Sequence, residues 1–396
     1  MQSSAFIFIL AMCGADVPTR LEVRTIADRP VIGDIRTISA EGDITLADGT
    51  AISAGEWYSI RRAGILPPWP REPHAEFNNG DRIRGSVAGA DGDALRLVVT
   101  WGGPAEQQLK FALSTLRAVW LRNRPDDIDP HWLTTPRQRD VLVARNGDLA
   151  QGALTSIDVS RSQVRFQADG QDRELLLSKV VAIGFNSDLA RARRPKGPFY
   201  RLTLADGTRI SVTSVSFDGR LWTAQSTAKE TVKILPDRIV SVDVEQGRVV
   251  PLADLKPVMY QYQSQDGESY SWAAHRSAGG QAMKLKAATG ELTFDRGLGL
   301  HAECTIAYAL DGKYRRFETL AGLDAQSGIR GDAVLSIQLD GKEVELPSGG
   351  RLTNVAEPLP IKVDVTDAKR LTIMVRQGNG GIVQDHVNLA EARLIP

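Results

Sequence analysis

Asp385 and His386 stand side by side near the end of the chain, in QDHVNLAEARLIP. An acid next to an imidazole is raw material for a proton-transfer site. A hydrolase needs more, namely a nucleophile, a base and an oxyanion donor brought together. No G-x-S-x-G turn precedes the pair, and Cys304 falls within an alternating run typical of a strand. If residues 385 and 386 begin a regular strand, they point to opposite faces, so one of them is structural. The GNGG run at 378–381 lets the chain turn either side chain outward and approach a ligand closely. It lacks the strand-to-helix setting of a phosphate loop.

Metal chemistry has little support. The five histidines, at 74, 131, 275, 301 and 386, form no His-x-x-x-His pair, and there is no local cysteine pair, so a zinc site would have to be assembled from distant segments. No dense aspartate run marks a calcium loop. No cofactor is therefore expected, with a structural Ca²⁺ left open.

The elements that must position such residues are strands. With 36 Gly and 19 Pro among 396 residues, turn formers are more frequent than helical bundles tolerate. Three stretches share one cadence: NGDRIRGSVAGADGDALRLVV (79–99), NGDLAQGALTSIDVSRSQVRFQ (146–167) and DGTRISVTSVSFDGRLWTAQ (206–225), with ISAEGDITLADGT (38–50) a looser copy. Asn-Gly and Asp-Gly supply the positive φ of tight hairpin turns, and the alternation after them is that of half-buried strands. Each of the three then closes on another strand: LSTLRAVWL (113–121), LSKVVAIGF (177–185) and LPDRIVSVDV (235–244). In the first, imperfect alternation of Leu116, Val119 and Leu121 predicts a short turn before the strand proper.

Recurrence at this scale predicts tandem β-modules at 16–66, 75–124, 138–188 and 198–247. The pattern NGD-x-I-x-G-x-V resembles small five-stranded barrels of the SH3 or Sm type. Proline-rich or polar stretches at 66–74, 123–138 and 186–198 read as separators. The last holds Arg191, Arg193, Arg194 and Lys196, a basic run able to grip an acidic polymer or a lipid headgroup; without interleaved aromatic residues for base stacking, a solvated linker is the favoured reading. Lys plus Arg equals Asp plus Glu at 48 each, so no net field draws the protein to a polyanion.

At the N-terminus, the apolar run from Ala5 to Ala15 has the length of a signal-peptide core and is too short to span a bilayer. It predicts a signal peptide over 1–15 and a secreted, periplasmic or cell-envelope location. Cleavage there leaves Cys304 as the only cysteine and no intramolecular disulfide. No other segment has the apolar length of a membrane helix.

From about residue 250 short strands follow at regular spacing, which predicts a β-sandwich. Leu335, Ile337 and Leu339 with Val334 fit one strand, Ile361, Val363 and Val365 a second, and Leu371, Ile373 and Val375 a third. RGLGLHAECTIAYALDGKYRRFETLAGLD (296–324), then SIQLDGKE, VDVTDAKRLTIMV and DHVNLAEARL, resemble the NPCBM family of carbohydrate-binding modules over 250–396. That resemblance implies a galactose-binding-like jelly-roll sandwich without catalytic role, in which loops at one end engage a glycan. Val387, Asn388 and Leu389 depart from the acidic or aromatic residues many relatives carry after the Asp-His pair, so the choice of sugar does not transfer.

A sugar site needs planar hydrogen-bonding groups and an aromatic face. The candidates in this region are Trp272, His275, Arg276, His301, Asp324, Arg376, Asn379, Asp385 and His386, with Asn388 beside them. A Trp in a sandwich is more often core than platform, as Trp272 here, and His301 fits equally a buried histidine bonded to backbone. The whole reads as an all-β, exported, non-enzymatic protein that binds carbohydrate, its N-terminal modules serving as spacer or as a surface for protein partners. The alternative is a structural or interaction protein of the cell envelope with no sugar ligand.

Overall fold

The structure is a computed structural model that describes residues 20–396 except 104, 127, 193, 194, 264–266, 268, 289, 329, 355 and 380–383. The expected signal peptide lies outside the described residues, as do Arg193 and Arg194 of the basic run and half of GNGG. The protein is nearly all β. The chain divides into two compact units: the described part of residues 12–63 with 67–247, and residues 248–396 with 64–66.

In the first unit one motif recurs. Asp48-Gly49, Asn79-Gly80, Asn146-Gly147 and Asp206-Gly207 each turn one strand into the next, with glycine φ of 89°, 90°, 90° and 86°. At every copy the Asx side chain accepts from the backbone N–H two residues on, which is why Asx precedes Gly here. Three copies end alike, with a 3₁₀ turn (Leu113–Thr115, Leu177–Lys179, Pro236–Arg238) leading into a return strand (Leu116–Trp120, Val180–Gly184, Ile239–Glu245). The turn expected before the 116–120 strand is thus present. Return strands join neighbours edge to edge: Leu116–Trp120 pairs with Val180–Gly184, and Ile239–Glu245 with Trp57–Arg62. Buried residues from Leu21 to Val242 form one continuous cluster.

The stretch 123–138, read from sequence as a separator, is largely exposed but has buried anchors, Leu133 among them. Arg124 and Arg137 are buried, and Arg124 and Asp129 join Glu76, Arg82 and Arg117 in an ionic cluster. Charge pairing with the strand bearing Glu76 holds Arg124 inside.

The second unit is a two-sheet sandwich, all its ladders antiparallel. One sheet runs Ala273–Ala274, Gly297–His301, His386–Ile395, Arg316–Leu323, Leu359–Asp364. The other runs Met259–Tyr262, Cys304–Ala309, Arg370–Gln377, Asp332–Leu339, Lys342–Val344. From Gly297 onward the long strands alternate between sheets, the winding of a jelly roll. The alternation read in sequence holds: Leu335 and Ile337, Ile361 and Val363, and Leu371, Ile373 and Val375 all lie in the core between the sheets. A separate hairpin, Met283–Ala287 with Gly290–Phe294, packs Met283 and Leu285 on Ala390.

Candidate functional site

The closing strand sets the site. Val387 and Leu389 enter the core, so His386, Asn388 and Ala390 take the opposite face. Register places His301 beside His386 and Gly299 beside Asn388 on one flank, with Gly322 beside Asn388 on the other. Both glycines are required by close approach: a Cβ on Gly299 would strike the backbone of 276–278, and one on Gly322 would press on Leu285. His301, His386 and Asn388 therefore lie on the outward face, flanked by the 276–281 segment and the hairpin.

The histidines meet at this end. Their ring centroids are 4.5 Å apart at 73°, and Tyr270 stacks on His301 at 4.4 Å and 24°. Tyr262 stands edge-on to Tyr270 at 5.3 Å. Asp324 follows the 316–323 strand, 2% exposed, and its N–H donates to the His386 carbonyl at 2.8 Å. Burial, with His386 beside it, pushes His301 down to about 4 against a hydrogen bond with the Ala278 backbone. Burial also lowers His386, opposed by the Asp324 charge. The Asp324 carboxyl is raised by burial against hydrogen bonds from Gln326 and Ser277. At neutral pH the imidazoles are uncharged, each ring having one nitrogen to donate and one to accept.

Asp385, one residue before the strand His386–Ile395, is buried and turns to Asp332. Its Oδ1 accepts from the Asp332 N–H at 2.8 Å, and its buried Oδ2 has no partner. Burial raises it to about 6, with the Asp332 and Glu303 charges adding and the Asp332 N–H opposing. Asp332 is held by Arg351 at 2.9 and 3.1 Å and accepts from the Asn379 N–H at 3.1 Å. Arg376 and Asn379 are exposed. Gly378 and Asn379 thus adjoin Asp332.

Of the nine residues singled out in sequence, the structure gathers His301, His386 and Asp324, with Asn388 next to them. Trp272 is half-buried against the sandwich core. His275 sits at φ 57° and bonds Asp254 at 2.8 Å through Nε2. Arg276 donates to the Gly280 carbonyl at 3.0 Å. Tyr262 and Tyr270 were missed, although YQYQSQDGESYSW is aromatic-rich enough to have marked that loop. A shallow cleft in the same unit is bounded by Lys286, Leu323, Asn354 and Glu357 and by none of the nine.

Catalytic and metal chemistry find no further support. Burial pushes the Cys304 thiol up to about 12, the reverse of an activated nucleophile. Among the described residues no group of three or more His, Cys, Asp and Glu is arranged to hold a metal ion, and no helix is long and apolar enough to cross a membrane.

Residues 248–395 match the NPCBM/NEW2 domain. The NPCBM region thus spans the sheets, the histidine pair and the hairpin. Among solved structures the chain is similar to the CBM51 module from Clostridium perfringens GH95, in complex with methyl-galactose: 25% identity over 37% of this chain and 99% of that one, TM-score 0.34. It is also similar to the tandem CBM51 modules of Sp3GH98, the family 98 glycoside hydrolase from Streptococcus pneumoniae, at 13% identity over 64% and 87%, TM-score 0.33. No curated protein matches the chain.

Proposed function

We propose that the NPCBM region binds carbohydrate where Tyr270, His301, His386 and Asp324 meet. The observation that carries this reading is the ring cluster: a tyrosine stacked on one neutral imidazole, a second imidazole edge-on to it, and a carboxyl group alongside. An aromatic face covers the apolar side of a pyranose, while imidazole nitrogens and a carboxyl group exchange hydrogen bonds with its hydroxyls. The family match supports the same conclusion. The protein acts without catalysis and is exported, a reading supported by the apolar run from Ala5 to Ala15. Its N-terminal unit serves as spacer or protein-contact surface.

A glycan array probed with the full chain tests this. The expected result is a discrete set of bound glycans whose signal falls at least ~10-fold, about 1.4 kcal/mol, in Tyr270→Ala and His386→Ala. A folded wild-type chain silent on neutral and acidic glycans alike would instead favour an envelope interaction protein.

A further inference from the structure

In the N-terminal unit the second and fourth Asx-Gly hairpins are joined to one another. Arg82 stands opposite Arg209. The Asp81 carboxylate accepts from the Ser211 N–H at 2.9 Å and from its hydroxyl at 2.7 Å, and the Thr208 hydroxyl accepts from the Arg84 N–H at 3.1 Å. Asp81 and Thr208 each follow an Asx-Gly pair, and Arg84 and Ser211 each stand three residues further on. The junction is therefore a local two-fold: each hairpin offers a side-chain acceptor to the other's backbone, with residues 82 and 209 at the axis. Asp81, Arg82, Thr208, Arg209 and Ser211 are all buried there.

The third hairpin presents the same parts to solvent. Asn146 Nδ2 donates to Asp148 Oδ2 at 2.6 Å as Asn79 Nδ2 does to Asp81 Oδ2 at 2.9 Å, and the N–H of each aspartate returns to the asparagine Oδ1 at 3.2 and 3.1 Å. The Ala144 N–H donates to the Asp148 carbonyl, as Phe77 does to Asp81, so along the antiparallel ladder the backbone groups of Leu149 and Gln151 point away from their partner strand. Among the described residues, 149–151 pair with no strand other than Asp140–Ala144. Asp148, Leu149 and Gln151 are exposed, Leu149 at 53%. Val143 stands opposite Leu149, whereas Glu76 stands opposite Arg82; an apolar pair replaces the ionic one of the buried junction. An unpaired edge with an apolar residue at its centre is a surface that proteins normally cover. We propose that a second copy of this chain covers it, the two 146–151 hairpins meeting about a two-fold axis at Leu149. Each Asp148 carboxylate then accepts from the Gln151 N–H of the other copy, as Asp81 does from Ser211, and the two Leu149 side chains meet where the arginines stand in the interior junction. Such a contact is isologous and closes at two copies.

Sedimentation velocity of the full chain tests this over a concentration series up to about 1 mM, since a contact between two short edges is small and weak. The sedimentation coefficient should rise to that of a dimer and stop. Leu149→Arg, which sets two guanidiniums against each other at the axis, should raise the dissociation constant at least ~10-fold, while the dilute variant melts as dilute wild type does. In a Cys13→Ser background, with Cys304 buried, Leu149→Cys should give a disulfide-linked dimer under dissolved oxygen, because the axis brings the two thiols together. Val159→Cys, exposed beyond the far end of the same strand, should not. A chain monomeric throughout, a dimer indifferent to Leu149→Arg, or assemblies that grow beyond two copies would overturn the proposal. The carbohydrate reading, which lies in the other unit, stands in each case.

Discussion

Replacing Glu76 by glutamine should be among the most damaging single changes in the N-terminal unit. Glu76 is 2% exposed, and its Oε1 accepts from Arg124 at 2.5 Å and Trp120 at 3.0 Å, with His74 Nε2 at 3.3 Å. Oε2 faces Arg117 at 3.5 Å and Arg82 at 4.0 Å. Asp129 is the other anion, 2.7 to 3.8 Å from Arg124, Arg117 and Arg82. Three guanidiniums against two carboxylates thus become three against one, in a site where water cannot compensate. Removing one partner of a buried pair costs roughly 3–5 kcal/mol, against ~0–1 for an exposed pair. For a unit of this size that lowers Tm by roughly 6–20 °C. Urea unfolding followed by tryptophan fluorescence reads it, since Trp120 donates to the lost carboxylate.

The same residue predicts a pH limb. Burial alone would raise Glu76, but the His74 hydrogen bond and the Arg82 and Arg124 charges outweigh it and hold the carboxyl well below its usual range. A depressed carboxyl contributes stability above its unfolded value of 4.5, lost as pH falls towards the folded one. Glu76→Gln should therefore flatten the acid limb below about pH 4.5. A loss under ~1 kcal/mol, or one erased by moderate salt as for an exposed pair, would refute the reasoning.

In the NPCBM region two opposite pH slopes are expected. His301, pushed down to about 4 from 6.5, refuses a proton that the unfolded chain takes, so it makes stability fall as pH drops from 6.5 to 4, and His386 acts with the same sign. Asp385, raised to about 6 from 3.8, holds a proton the unfolded chain has released, so it makes stability fall as pH rises from 3.8 to 6, and Asp324 acts likewise. Thermal midpoints of His301→Asn should decline more steeply with rising pH than wild type, and those of Asp385→Asn less steeply; parallel profiles would contradict both assignments. Gly299→Ala should cost about 1–3 kcal/mol and weaken glycan binding, because the 276–278 backbone must shift to admit a methyl; a variant with unchanged melting and binding would contradict the close packing.

The sandwich strands were legible because Leu371, Ile373 and Val375, or Ile361 and Val363, alternate without interruption, and a period of two has one physical explanation. The recurrent hairpins were legible because Asx-Gly carries its own turn chemistry in two residues. The ionic cluster was not: Glu76, Arg117, Arg124 and Asp129 sit in strands and a loop whose convergence depends on tertiary pairing, and each alone looks like an ordinary surface charge. The site was half legible. His301 and His386 stand out by type, whereas Asp385 lies one residue before the strand and its bond to Asp332 depends on tertiary packing. Trp272 packs against core, and His275 and Arg276 bond locally, because the path of 270–281 is decided by close approach to Gly299, which no periodicity reveals. Tyr270 was in view but lacked a reason until His301 was found beneath it.

The central claim places a saccharide against two neutral imidazoles. Imidazole ¹H–¹⁵N spectra of the full chain, recorded at pH 7 during titration with an array-positive glycan, test it most directly. Saturable shifts are expected at His301 and His386, with His74 and His131 in the other unit unmoved. Saturable binding that leaves both imidazoles of the pair unchanged would contradict it.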